Sequence, residues 1–314
     1  MKVVHIKAIC LALLVPLHGI ALAEEAAPAK ELADVREPLQ ERSVEDAQAL
    51  ERQLPAGEQQ RLQAGSDEFL SLWRPANTAD VQGTVIIVPG AGESADWPQG
   101  VGPLRRKLPD AAFNTLSLSM PDLVSQMPSA RPGEKPPLPV TTDTQATTPD
   151  AGAGVEKATA QDADAASADA QLQDPMQVDA ERIFARIEAG IAFAQQHNSR
   201  SIVLLGHGSG AYWATRYMAE RQPAHVQRLV LVDTRTPNNA PQQIDELAAL
   251  LKVSTTDIFY SDRQAAAAAA QRRLQASKRQ KGMAYSQVSL KSLPDNAAQA
   301  EQLFRRVKGA LTTQ

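Results

Sequence analysis

Apolar runs mark the candidate strands in the pattern of hydrophobic and polar positions along the chain. Continuous apolar runs suit strands that are buried on both faces of a parallel sheet. Such a run lies at 83–90, and further buried strands are predicted at 201–206 and 226–233. A segment at 68–74 alternates apolar and polar positions, which predicts a half-buried strand. Further strands are predicted at 113–120, 256–261 and 283–290.

Helical segments separate these strands. The clearest lies at 179–197. In it the isoleucines at 183, 187 and 191 form an apolar stripe at helical spacing, continued by Ala194. Further helices are predicted at 98–107, 209–222, 242–251, 264–279 and 296–311. This alternation predicts an α/β fold, with a mostly parallel sheet and helices on both faces.

The first 23 residues have the parts of a secretory signal peptide. Two lysines precede an apolar run at 8–21, which is short for a membrane span, and Ala21-Leu22-Ala23 forms a small-residue cleavage site. We expect cleavage near Ala23 and a periplasmic or secreted location; a retained membrane anchor is the alternative. Cys10 is the only cysteine. The mature chain is therefore expected to have no thiol and no disulfide.

Composition divides the rest of the chain. Residues 24–65 are predicted to be loose, apart from a short helix at 43–54. Residues 124–178 contain seven prolines and no aromatic residue, so they bury too little apolar surface to offset the entropy of ordering. We predict a disordered insertion there, with a substrate lid as the alternative. A single domain is expected from 66–123 and 179–314.

Charge and the remaining motifs exclude several classes of function. Loss of Lys2 and Lys7 with the signal peptide changes the formal net charge from −4 to −6, two positive charges fewer. An acidic chain does not suit nucleic acid or an anionic bilayer, and no later stretch is apolar and long enough to span a membrane. No zinc-binding pattern and no cysteine pair occur, and the glycines at 206–210 lack the dinucleotide-binding pattern. No metal and no cofactor are predicted.

A glycine-rich turn links one of the buried runs to the next predicted helix. Gly206-His-Gly-Ser-Gly210 resembles G-x-S-x-G, the sharp turn on which hydrolases carry a nucleophilic serine. Small residues lie two positions before and after the tip of that turn. Gly208 meets this condition, whereas a tip at Ser209 would have the large His207 as a flank. The pattern therefore places at the tip a glycine, which has no nucleophilic atom. Ser209 then starts the helix, where its hydroxyl can serve as a cap.

The order of elements, with this turn on a central strand, resembles the α/β-hydrolase superfamily. Within it the chain is similar to an uncharacterised family of secreted bacterial hydrolase-like proteins. The matching stretches are FLSLWR at 69–74, TLSLSMPD at 115–122 and GHGSGAYWA at 206–214. The resemblance covers about 66–311 without the insertion. It implies the fold more strongly than it implies any reaction.

The catalytic histidine that the resemblance implies is missing. It would follow the last strand, but the chain reads KSLPDN at 291–296 and has no histidine after His225. His207 lies inside the turn and is interpreted as a packing residue near the strand end. His197 and His225 are interpreted as exposed residues of a helix end or a loop.

The acid of the implied triad is better represented. Asp262 follows a late strand, as the superfamily's acid does, and Asp233 ends the strand before it. An aspartate at a strand end is also a common turn former or helix cap. No catalytic residue is therefore expected. If the protein is active, the candidates are Ser209, Asp262 and Asp233.

The oxyanion hole of the superfamily needs backbone N–H groups from the turn and from the loop at 88–93. These groups, with the positive end of the helix that begins at Ser209, favour a carboxylate or a phosphate. An anion-binding pocket is predicted; the alternative is a pocket filled by side chains such as Trp97 or Tyr212. The predicted pocket residues are Gly90, Ala91, His207, Gly208, Ser209 and Gly210.

Two hypotheses for the function follow. The first is a catalytically degenerate hydrolase-like protein of the cell envelope, which binds a small acidic ligand or another envelope protein. The second is an active esterase-like hydrolase that uses Ser209 or a water positioned by Asp233 and Asp262. An imidazole within about 4 Å of the Ser209 hydroxyl would support the second hypothesis, because a general base needs hydrogen-bond reach.

Overall fold

The strands of the domain form one sheet. The computed structural model of the chain describes residues 41–126, 174–279 and 284–312. The strands are β1 Gln59–Ala64, β2 Asp67–Arg74, β3 Gly83–Val88, β4 Phe113–Leu118, β5 Ile202–His207, β6 Val226–Val232, β7 Ser254–Tyr260 and β8 Tyr285–Leu290. They lie in the order β1-β2-β4-β3-β5-β6-β7-β8.

The sheet is mostly parallel, which confirms the predicted fold class. Strand β2 pairs antiparallel with both β1 and β4, and the pairs from β4 through β3 to β8 are parallel. The carboxyl ends of the parallel strands therefore lie along one edge of the sheet. Functional sites of open α/β sheets form at this edge.

Helices cover both faces of the sheet. They are α1 Arg42–Gln53, α2 Val101–Lys107, α3 Pro175–Gln196, α4 Ser209–Arg221, α5 Ile244–Ala248, α6 Gln264–Ser277 and α7 Asn296–Thr312. Side chains of a strand alternate between the faces. In β3, Ile86 packs with the cluster that holds α3 and α4, and Ile87 packs with the cluster that holds α2 and α7.

The structure changes two predicted boundaries. Strand β1 lies inside 24–65, the segment predicted to be loose, and pairs along its whole length with β2. Helix α3 begins at Pro175, where the Asp174 carboxylate caps it by accepting from the N–H of Met176. A short 3₁₀ turn occupies 124–126. The predicted insertion at 124–178 was therefore too wide at both ends.

Several sequence predictions lie outside the described residues. These are the signal peptide at 1–23, the segment at 24–40 and the insertion between 127 and 173. Among the helices that the structure does describe, none combines the length and apolar character needed to cross a membrane.

Candidate functional site

The glycine-rich turn lies at the carboxyl end of β5, in the middle of the sheet. Gly208 forms its tip and the N-cap of α4, with φ 58° and ψ −124°. Residues other than glycine rarely adopt a positive φ. The N–H of Gly208 donates to the carbonyl of Val232 at 2.9 Å, and its carbonyl accepts from the N–H of Arg235 at 3.0 Å. The turn is thus fixed to the end of β6.

The glycines on either side of the tip allow the strand, the helix and a neighbouring loop to pack closely. A Cβ atom on Gly206 would overlap the backbone of Ala211. A Cβ atom on Gly210 would overlap the carbonyl oxygens of Val88 and Pro89. The structure therefore has the geometry of a nucleophile turn with Gly208, not Ser209, at its tip.

Glu93, in the loop after β3, occupies the space beside this tip. Its Oε1 lies 3.2 Å from the position that a Cβ atom on Gly208 would take. Its Oε2 accepts from the N–H of Gly90 at 2.8 Å and lies 2.7 Å from Nδ1 of His207, which donates to it. A carboxylate of the protein thus lies directly beside the position from which a nucleophilic side chain would extend.

The environment keeps this carboxylate ionised. Burial acts to raise the pKa of Glu93, but the hydrogen bond and charge of His207, the N–H of Gly90 and the charge of Arg235 hold that pKa below its ordinary value. Only about a tenth of the Glu93 side chain is exposed, 12%, and 10% of His207. His207 is therefore a buried, hydrogen-bonded residue at the strand end.

The hydroxyl of Ser209 is also engaged. Its Oγ accepts from the N–H of Ala91 at 2.7 Å. The two consecutive N–H groups of the loop after β3 thus bind groups of the protein itself: Gly90 binds Glu93, and Ala91 binds Ser209. These are the donors that an oxyanion would need from this loop.

The residues of the predicted anion-binding pocket lie around the carboxylate of Glu93. The structure brings Gly90, Ala91, His207, Gly208 and Ser209 together, and Gly210 serves close packing. The alternative, a pocket filled by Trp97 or Tyr212, names the wrong side chains. Tyr212 is fully buried in one core cluster, and Trp97 packs against the other. Sequence reasoning missed Glu93, although its position three residues after Gly90 is that of a residue that closes a turn.

The candidate acids have other partners. Asp233 has φ 47° and accepts from Arg235 Nη2 at 2.8 Å and from Arg263 Nη1 at 3.0 Å. Asp262 is exposed, and its Oδ1 accepts from the backbone N–H of Ser292 at 3.1 Å. Hydrogen bonds from Ser292 lower the pKa of Asp262. Asp262 thus binds the loop after β8, where the superfamily's histidine would lie, through a backbone N–H.

The other described histidines lie away from the turn. His197 caps α3, with its ring 4.1 Å from that of Phe193 and 5.0 Å from that of Trp73, and His225 is exposed before β6. Within 41–126, 174–279 and 284–312, no group of three or more histidine, cysteine or acidic residues could hold a metal ion.

A cavity of about 550 Å³ opens beside the Glu93 loop. It lies between α1, the loop after β3 and the loop after β4. Its lining consists of Arg42, Ser43, Asp46, Leu50, Ala91, Gly92, Glu93, Ser94, Ala95, Ser119, Met120, Pro121, Asp122, Leu123 and Gln126. Glu93 therefore forms part of the wall between this cavity, called here the main cavity, and the turn.

Comparison with solved structures supports the fold. A dienelactone hydrolase from Anabaena variabilis is 14% identical, with a TM-score of 0.51, over 80% of this chain and 96% of the other. An esterase from Pyrococcus furiosus is 12% identical, with a TM-score of 0.52, over 81% and 88%. An esterase domain from Rhodothermus marinus is 10% identical, with a TM-score of 0.50, over 81% and 97%. At these identities the likeness shows the α/β-hydrolase fold alone.

Comparison at the level of sequence identifies the family. No curated protein matches the chain significantly. One family profile, described as a protein of unknown function (DUF3530), matches residues 5–313. The chain therefore belongs to the DUF3530 family, and its structure gives this member the α/β-hydrolase fold.

Proposed function

We propose that this protein is a catalytically inactive member of the α/β-hydrolase superfamily, which binds a small molecule in the main cavity. The observation that carries the proposal is the position of Glu93. Its carboxylate lies beside Gly208 and accepts the Gly90 N–H that an oxyanion would require. We further propose that the protein acts in the cell envelope, because residues 1–23 have the pattern of a cleaved signal peptide.

Loss of catalysis is supported at the nucleophile and at the base of the triad. The tip residue, Gly208, has no nucleophilic atom. The Ser209 hydroxyl accepts from the N–H of Ala91, and the described contacts of that hydroxyl include no imidazole. The sequence after His225 has no histidine to serve as the base. An esterase-like reaction through Ser209 or an aspartate-bound water would have to proceed without these groups.

Binding is supported by the size and lining of the main cavity. Its volume of about 550 Å³ lies within the range of about 300–1,000 Å³ of small-molecule sites. Leu50, Met120 and Leu123 supply apolar surface, and Ser94 and Gln126 supply polar groups. This mixture is typical of ligand sites. A small molecule suits a cavity of this volume better than an envelope-protein partner does.

Thermal shift measurements on the mature chain test the binding proposal. The probes are a panel of amino acids, sugars and short-chain carboxylic acids. Asp46 lies on α1 and lines the main cavity, whereas Glu45 lies on the same helix outside the lining. We expect at least one probe to raise the Tm of the wild type and of Glu45→Phe, but not of Asp46→Phe. The proposal would be contradicted if every probe that binds stabilised both variants equally. It would also be contradicted if no probe stabilised the wild type.

A further inference from the structure

Buried arginines in this domain have carboxylate partners, with one exception. Among the described residues, four arginines are buried. Arg105 pairs with Asp96 and Glu58, Arg216 pairs with Glu220, and Arg273 pairs with Asp257. Arg186 on α3 forms no ion pair within the described part of the chain.

The guanidinium of Arg186 has donors to spare. Its Nη1 donates to the carbonyl of Ser119 at 2.7 Å, and the group lies over the ring of Phe69, 4.8 Å from the centroid. A guanidinium has five N–H donors. The described contacts account for one hydrogen bond. Burial, the largest effect, lowers the pKa of Arg186 to about 10, so the group remains a cation at neutral pH.

A second cavity, called here the Arg186 cavity, lies against this guanidinium. Its volume is about 120 Å³, and its walls come from α1, β1, β2, Ser119 and Arg186. Ser119 and Ser43 line both this cavity and the main cavity, so the two adjoin. The buried Oγ of Ser119 has no hydrogen-bond partner among the described residues. A cationic group and a hydroxyl with unused hydrogen-bonding capacity thus line one small space.

We propose that the Arg186 cavity binds a carboxylate of the ligand, with the rest of that ligand in the main cavity. The planar guanidinium matches a carboxylate, which it can bind through two parallel hydrogen bonds. The hydroxyl of Ser119 supplies a further donor. A buried charge without a partner is costly, and a bound carboxylate removes that cost. The inference rests on the proposed binding function and names the chemical class of its ligand.

The other charged side chains of the Arg186 cavity favour a ligand group with a single negative charge. Glu51 and Glu68 also line it, and both form ion pairs with Arg61. Among the described residues, both glutamates of the lining therefore pair with Arg61, and neither forms an ion pair with Arg186. One carboxylate balances Arg186. A phosphate dianion would place a second charge near the two glutamates, so the cavity should discriminate against inorganic phosphate.

Fluorine NMR with trifluoroacetate as the probe tests the subsite directly. Trifluoroacetate is a small carboxylate monoanion, and its ¹⁹F line broadens on binding. We expect broadening with the wild-type mature chain and loss of at least tenfold in affinity in Arg186→Met. Arg182→Met is the matched control, because Arg182 lies one turn earlier on α3 and has partners in Asp122 and Glu41. The control should bind like the wild type.

Two further variants keep the test valid if Arg186→Met folds poorly. Arg186→Lys keeps the charge but lacks the planar fork, and Ser119→Ala removes only the hydroxyl; each should weaken the probe severalfold. Inorganic phosphate should compete poorly with trifluoroacetate. No broadening in the wild type, or equal broadening in Arg186→Met and Arg182→Met, would overturn the subsite.

The outcome is separable from that of the proposed function. Asp46→Phe obstructs the main cavity, and Asp46 does not line the Arg186 cavity. If trifluoroacetate binding depends on Arg186 while the protein hydrolyses acyl esters, the proposed inactivity fails and the subsite stands. If a probe of the panel binds in the main cavity but trifluoroacetate binding does not depend on Arg186, the subsite fails and the proposed function stands.

Discussion

Replacing Glu93 with alanine empties the anion position beside Gly208. It removes two charge-assisted hydrogen bonds, from the N–H of Gly90 at 2.8 Å and from His207 at 2.7 Å. Such bonds contribute about 1.5–3 kcal/mol each, and relief of the desolvation of the carboxylate offsets part of that sum. We expect the unfolding free energy to fall by about 2 kcal/mol, which lowers the Tm by about 4–8 °C in a domain of this size.

Added formate should then take the place of the lost side chain. The Gly90 N–H and the N-terminus of α4 still attract an anion in Glu93→Ala. At a concentration of ten times its Kd, formate should stabilise the variant by RT ln(1 + 10), about 1.4 kcal/mol, which is about two thirds of the lost stability. Differential scanning fluorimetry across a series of formate concentrations measures the rise in the Tm of the variant, with sodium chloride at equal ionic strength as the salt control.

The matched control is Glu301→Ala. Glu301 also accepts hydrogen bonds from cationic side chains, Lys107 and Arg305, but on the surface of α7. Exposed ion pairs contribute little to stability. The Tm of this variant should therefore equal that of the wild type and should not change when formate is added. If Glu93→Ala is as stable as the wild type, or if formate stabilises the wild type equally, Glu93 does not fill an anion site.

Three further predictions concern packing, buried charge and pH. Gly210→Ala forces a Cβ atom onto the carbonyl oxygens at the end of β3 and should cost about 3 kcal/mol or more in urea unfolding, whereas Gly57→Ala, which meets nothing within 4 Å, should not. Arg273→Met should lower the unfolding free energy by about 3–5 kcal/mol, because it leaves the buried partner aspartate of Arg273 unpaired. Arg186→Met should change the unfolding free energy by less than about 1 kcal/mol, because relief of an unpaired buried charge offsets the one lost hydrogen bond. A large loss of stability in Arg186→Met would show that the charge of Arg186 is already balanced. The folded-state pKa of Glu93 lies below its ordinary value of 4.5. The stability that its charge contributes is therefore complete above about pH 4.5 and is lost as the pH falls through the folded-state pKa. Stability should thus fall less steeply with decreasing pH in Glu93→Gln than in the wild type; equal slopes would contradict this.

The central parallel strands were predictable because they are buried on both faces over most of their length. Strands β3 and β5 are apolar along almost their whole length, and β6 ends in the apolar run LVLV. Strand β1, QQRLQA, carries no such signal. It lies at the edge of the sheet, and its polar composition is compatible with a strand only because β2 pairs with it. The start of α3 did carry a signal, because an aspartate before a proline is a common helix beginning.

The site was predictable as a backbone arrangement but not as a set of side-chain partners. The spacing of glycines places Gly208 at the tip, since only small residues fit beside it. No local pattern states that the carboxylate of Glu93 folds back onto the N–H of Gly90 and reaches a histidine 114 residues away in sequence. Arg186 offered a clue, because it lies three residues after Ile183 and so shares the buried face of α3.

Hydrolysis of short- and long-chain acyl esters by the mature chain tests the central claim most directly, with Ser209→Ala measured beside the wild type. We predict that neither protein hydrolyses any ester faster than buffer alone, because Glu93 and Ser209 occupy the N–H donors after β3 and the turn carries no nucleophile. Turnover by the wild type that disappears in Ser209→Ala would contradict the proposal and identify the protein as a serine hydrolase.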